Sequence, residues 1–260
     1  MLILSFKLFI TPFLIGSVTL AGRRWGSGVS GLLIGLPLTS GPISFLLALE
    51  YGQVFACQAA AGSLAGQISI CIFCLTYIAV ARSCSWRMSS LVAIAAFFVS
   101  TFVLNLFYWQ LWPTLAVLLV FIVLSVRLVK RHSLSAPGPI PPKWDLPGRI
   151  ICATGLVILL TAVANALGPQ LSGLLAPFPA FSVIFAAFTQ AQQGGKGASN
   201  LLRGVIVGSG GNAAFFTVVG AMLTTQGVAI TYLVATAAAI GVGSAAFFLS
   251  KKNSSKLGKN

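Results

Sequence analysis

Few residues in this chain are equipped for chemistry, and their types point to binding rather than catalysis. Two residues are acidic, Glu50 and Asp145, and one is a histidine, His132. The five cysteines are Cys57, Cys71, Cys74, Cys84 and Cys152. Cys71 and Cys74 share a helix face. A metal or redox pair wants histidine or further cysteine beside it, and none is near. His132 lies in a basic loop, so a histidine-based triad within the membrane is excluded. The chain is therefore expected to hold no metal and no cofactor, and not to be an enzyme.

What remains is a stretch whose backbone is the active part. It runs Gly35-Leu-Pro37-Leu-Thr39-Ser40-Gly41-Pro42-Ile43-Ser44 and on to Glu50. Pro37 and Pro42 each remove a backbone donor and clash with the preceding turn. Backbone groups freed in hydrocarbon are tolerated only inside protein or along a cavity. A half-helix starting near Pro42 would aim the amides of Ile43 and Ser44 at an anionic group, with the Thr39 and Ser40 hydroxyls beside them. A second stretch, Pro177-Phe178-Pro179-Ala180-Phe181-Ser182 and on to Gln190, matches the first. The two are expected to face each other across a site. Pro37, Thr39, Ser40, Gly41, Pro42, Ser44 and Glu50 would supply one side, and Pro177, Pro179, Ser182 and Gln190 the other. Asn212, next to Gly210-Gly211, would lie close by. The competing account is that the prolines only kink helices for packing. Glu50 has two accounts as well. Within a span it would be a proton-coupling acid; near the outer interface it would be a plain solvated carboxylate.

The elements that must hold these residues are membrane helices. The chain is 57% hydrophobic and 7% charged, where a soluble domain carries about 25% charged residues. Apolar runs of about 20 residues, enough to cross ~30 Å of hydrocarbon, fill nearly all of it. Nine spans are expected, near 2–21, 28–50, 54–80, 88–107, 113–128, 148–167, 171–192, 199–222 and 228–249. The first is read as a retained span, because no basic leader precedes it. The second and seventh contain the two proline stretches. Gly168-Pro169-Gln170 is expected to turn the chain from the sixth span into the seventh. Ser135 to Pro142 reads as a stiff linker, and Trp144-Asp145-Leu-Pro147 as a helix start capped by Asp145. Gly62 with Gly66, and Gly204 with Gly208, are GxxxG pairs that let helices approach closely. Trp25, Trp86, Trp109, Trp112 and Trp144 fall at span ends, as interfacial anchors do.

The net charge of +14 is not read as a nucleic-acid signal. The basic residues sit in short loops rather than on an aromatic-studded soluble face. Loops after the odd-numbered spans carry Arg or Lys and those after the even-numbered spans carry none. Of 16 basic residues only Lys7 falls outside that set. This is a positive-inside pattern. It orients the chain with its N-terminus outside and its C-terminus cytoplasmic, ending in a basic tail; the expected location is a bacterial inner membrane.

Laying 1–80 over 148–222 aligns Pro37 with Pro177, Phe45 with Phe185 and Glu50 with Gln190. After a two-residue insertion it aligns Gly62 and Gly66 with Gly204 and Gly208. The expected fold is an all-α polytopic membrane protein. Two four-helix inverted repeats, 1–108 and 148–250, are joined by an extra helix and basic loop at 109–147 (4+1+4), and 251–260 forms the tail. Through Leu175-Ala-Pro177-Phe178-Pro179-Ala-Phe181 and Leu202-Arg203-Gly204-Val-Ile-Val-Gly208, residues 148–250 resemble the GlpM-like family of small four-helix bacterial membrane proteins. The first half resembles a more diverged copy. That family supplies no substrate or mechanism to carry over, and this chain differs in being a double unit.

Inverted repeats with broken helices at matching places are the sequence mark of a midplane site in secondary transporters. The expected function is a secondary transporter or flippase for a small or amphipathic solute held between spans 2 and 7. The alternative is a non-transporting scaffold or accessory subunit for envelope polymer synthesis. The expected partners are the lipid bilayer and the unidentified solute, with a homo-oligomer left open.

Overall fold

The computed structural model describes residues 2–129, 142, 144–175 and 178–257, and for 2–10, 161–175, 247 and 249–257 only their backbone. Pro177, His132 and most of the proline-rich linker lie outside the described residues. Among the described residues every regular element is an α-helix: α1 (Leu2–Trp25), α2 (Ser27–Gly35), α3 (Ser40–Tyr51), α4 (Gln53–Val80), α5 (Trp86–Asn105), α6 (Leu111–Leu128), α7 (Asp145–Leu175), α8 (Ala180–Gln226) and α9 (Val228–Leu257). Helices are what an apolar chain must form where no water can satisfy its backbone. Among the described residues, six stretches are long and apolar enough to cross a membrane. Large apolar side chains such as Phe13, Leu91, Phe102, Leu233 and Phe248 cover the outside. Both properties are consistent with a multi-pass membrane protein.

α8 is two helices in one label. Gly194, at φ 73° and ψ −176°, is not helical, and it divides a first leg (180–193) from a second leg (195–226). Gly26, Gly52 and Gly227 have the same kind of conformation and each separates two helices by a single residue. Positive φ with extended ψ is accessible only to glycine, so these four residues make one-residue connections that no other side chain would allow.

The break in the second expected span is present. α2 ends at Gly35 and α3 starts at Ser40. Leu36 takes φ −75° and ψ 158°, the extended geometry that a following proline favours. The broken unit α2–α3 thus comprises 9 and 12 residues, which places the break about 14 Å from the start of α2, near half of a ~30 Å hydrocarbon layer.

The second stretch is built differently. The expected turn at Gly168-Pro169-Gln170 is absent, and α7 continues through it to Leu175. In hydrocarbon a helix carries an internal proline more readily than in water, because opening the backbone finds no solvent partner. The next described residues, Phe178 and Pro179, are not helical, and helix resumes at Ala180. The first leg of α8 therefore starts about nine residues later than the expected seventh span. At the other end of the chain, α9 stays helical to Leu257 rather than ending at 249.

The second leg of α8 is the central rod. It packs on α2, α4, α6 and α9. Its seam with α2 is glycine on glycine. A Cβ on Gly31 would collide with the Leu201 carbonyl, one on Gly204 with the Gly28 carbonyl, and one on Gly208 with the Leu32 carbonyl. Gly62 of α4 has no atom within 4 Å of the place its Cβ would take, and Gly66 is buried.

Candidate functional site

The α2–α3 break opens onto a cleft of about 450 Å³. Pro37, Gly41, Pro42 and Phe45 form one wall. Phe215, from the second leg of α8, forms the floor. Tyr232, Thr236 and Ile240 of α9 form the opposite wall. None of the lining comes from 180–193, so this cleft lies between the broken span and α8–α9, not between the two proline stretches.

Aromatic rings fix its shape. Tyr232 lies edge-on to Phe45 at 5.2 Å and to Phe215 at 5.9 Å. The proline rings of Pro37 and Pro42 add two more rigid surfaces. The lips are apolar and open: Ile240 is 60% exposed and Phe45 36%. The mouth therefore opens sideways, onto the apolar outer surface of the helices.

The polar side chains that line the cleft, Tyr232 and Thr236, are occupied. Ser44 Oγ and Tyr232 OH share a hydrogen bond of 2.8 Å. The Thr236 hydroxyl donates to the Tyr232 carbonyl at 2.8 Å. Leu36 N–H donates to Leu33, Gly41 N–H to Pro37, and Ile43 N–H to Thr39. The half-helix begins at Ser40, two residues before Pro42, so the Ile43 amide falls inside helix α3 and is not free for an anion. Thr39 precedes the helix without a side-chain cap bond, and Ser40 is its first residue.

The other expected residues are elsewhere. Glu50 is exposed at the far end of α3, about 20 Å along the helix from Pro37. Pro179 precedes the first leg of α8, and Ser182 is buried in it. Gln190 is buried, and its Nε2 donates to the Cys84 carbonyl at 2.9 Å. The aligned pair Glu50 and Gln190 thus occupy unlike surroundings. Asn212 is buried on the second leg of α8, with no hydrogen-bond partner for Oδ1.

A second constellation is polar, and sequence reasoning missed it. Asp145 is buried, and its carboxylate is held by side chains rather than by the start of its own helix. Arg149 Nε donates at 2.8 Å, Arg23 Nη2 at 3.1 Å and Gln192 Nε2 at 2.6 Å. The Arg149 guanidinium also lies over the Phe185 and Phe188 rings at 5.0 and 5.2 Å. One carboxylate thereby joins the end of α1, the start of α7 and the first leg of α8. The spacing of Asp145 and Arg149, four apart, was the available signal. Tyr232 and Thr236 were missed because α9 reads as a plain apolar span.

No family model, no curated protein and no solved structure matches this chain.

Proposed function

We propose that this protein is an inner-membrane secondary transporter or flippase for an amphipathic solute, and that the α2–α3 break is where the solute is held. One observation carries the reading: a proline-notched span opens, near half-depth, onto a cleft whose mouth faces the lipid. The proposed architecture is nine spans in a 4+1+4 order, with inverted halves, the N-terminus outside and the C-terminus cytoplasmic. Supporting it, α3 and the first leg of α8 each follow a proline-bearing break and each end at a positive-φ glycine, Gly52 and Gly194. These glycines are 142 residues apart, the offset that also relates Gly62 to Gly204. The basic loops support the orientation. The likeness of 148–250 to GlpM-like proteins belongs to the same proposal. The reading includes no catalytic step.

The cleft lining moves the solute class toward apolar molecules. No lining residue is charged, and a polar solute would shed its water there without gaining partners. The same absence favours one other reading, a non-transporting scaffold for envelope polymer synthesis, since no coupling group faces the cleft.

The test is reconstitution into vesicles carrying a fluorescent phospholipid in both leaflets, followed by chemical quenching from outside. The wild-type chain should bring inner-leaflet lipid into reach of the quencher. Pro37→Ala and Pro177→Ala should abolish that movement. Movement no faster than in protein-free vesicles rejects the flippase reading, and full activity in both variants rejects the role of the breaks.

A further inference from the structure

We infer that the cleft between α3 and α9 is a retained-lipid site, which takes one hydrocarbon tail from the leaflet that surrounds α3. The inference rests on the same placement of the cleft in hydrocarbon as the proposed function, but it does not require transport.

Dimensions point to a tail. Along α9 the cleft extends from Tyr232 to Ile240, which at 1.5 Å per residue is about 12 Å. Half the hydrocarbon thickness is about 15 Å. One end lies beside Phe45 and Ser44, toward the end of α3; the other reaches the break, where Leu36 packs on Gly243. The cleft thus spans one leaflet from near its interface to the midplane. Its volume of about 450 Å³ holds on the order of fifteen methylene-sized groups, taking ~30 Å³ for a group near water's size.

Chemistry points the same way. The hydroxyls of Ser44, Tyr232 and Thr236 are all engaged, so nothing in the cleft asks for a polar occupant. The open lips make a sideways entrance. A chain arriving from the bilayer gains no hydrophobic energy, because lipid is as apolar as the lining. What retains it is dispersion contact. Phe45, Phe215, Tyr232 and the two prolines offer rigid walls on three sides, where an exposed helix face offers one. Leu49, one turn beyond Phe45 on α3, is 61% exposed and continues the apolar track toward the interface.

The experiment uses the full chain in phosphatidylcholine vesicles doped with a phosphatidylcholine that carries a photoreactive diazirine on its acyl chain. After brief detergent washing and irradiation, adducts are mapped by peptide mass spectrometry. Expected are adducts concentrated on 36–45 and 232–240, several-fold above those on the exposed faces of α5 and α6. Thr236→Leu and Thr236→Phe fill the cleft stepwise from an exposed position on its wall. They should lower cleft adducts in that order and leave α5 and α6 unchanged. Leu233→Phe, on the open face of α9, should change neither. Even labelling over all apolar faces overturns the inference, as does cleft labelling that persists in a Thr236→Phe variant melting like wild type. Crosslinks between two copies through the cleft overturn it too. Cleft labelling without lipid movement in the vesicle assay sustains this inference and rejects the flippase reading.

Discussion

The Ser44 hydroxyl and the Tyr232 phenol meet at 2.8 Å, joining the half-helix after the break to α9 across 188 residues of chain. The bond is buried, and it closes the end of the cleft away from the break. It fixes where Tyr232 stands, and through Tyr232 the edge-on rings of Phe45 and Phe215. Polar links between membrane helices average ~0.6 kcal/mol, because each partner finds substitutes when the pair parts. Ser44→Ala and Tyr232→Phe should each lower thermal stability slightly. Their double-mutant cycle should return a coupling near ~0.6 kcal/mol. A coupling of zero would mean that the two hydroxyls do not hold the seam.

The α2–α8 seam should be the least tolerant surface in the protein. A methyl at Gly31 or Gly208 meets backbone carbonyls, of Leu201 and Leu32 respectively, and backbone cannot step aside as a side chain does. Overpacking of this kind costs about 1–3 kcal/mol. Gly31→Ala and Gly208→Ala should lower the melting temperature in detergent by several degrees. Gly62→Ala is the contrast. Open space surrounds that position, and alanine favours helix over glycine by ~1 kcal/mol. It should melt at or above the wild-type temperature.

The Asp145 cluster should answer to substitution in graded fashion. Asp145 and Arg149 side chains are 2% and 7% exposed, while Arg23 is 35% exposed. Asp145→Asn leaves Arg149 buried without its counter-charge, a loss of about 3 kcal/mol or more. Arg23→Gln removes a half-exposed partner and should cost no more than ~1 kcal/mol. Melting curves of the two variants check the ranking. Raising salt should weaken the Arg23 contribution and leave the Arg149 one nearly unchanged, since screening acts on exposed pairs. Equal losses from both substitutions would contradict this division.

The break at Pro37 was readable because two prolines and two glycines fall within eight residues there, and the residue before a proline is biased toward extended geometry, as Leu36 is. The partner of the break was not readable. It depends on which glycines meet, and GxxxG in a sequence names no counterpart. Gly204 meets Gly28 and Gly208 meets Gly35, and that seam brings the break beside α9. The Gly168-Pro169 pair was misjudged as a turn by a rule that holds in water, where an opened backbone finds solvent. Asp145 was read as a helix cap from its place before an apolar run. Its carboxylate goes instead to Arg149, one turn on, and to residues from α1 and α8 that only folding brings near.

Gly194 is where α8 divides, and its backbone allows one residue type. At φ 73° and ψ −176° a Cβ is strained even though no neighbour crowds it. Holding an ordinary residue there costs on the order of 1–3 kcal/mol. Two residues upstream, Gln192 bonds Asp145; next to Gly194, the close approach of Gly195 to the Ala81 carbonyl pins the start of the second leg. The two anchors leave little freedom for the kink to relax. Gly194→Ala should therefore lower the melting temperature, while Gly155→Ala, a helical glycine with nothing within 4 Å, should leave it level or raise it. If α8 can instead straighten through residue 194, the alanine will be tolerated and the two legs will gain a continuous hydrogen-bond ladder. Amide hydrogen exchange across 190–198 distinguishes these outcomes: the kink predicts fast exchange confined to the connection, and a straightened rod predicts protection throughout.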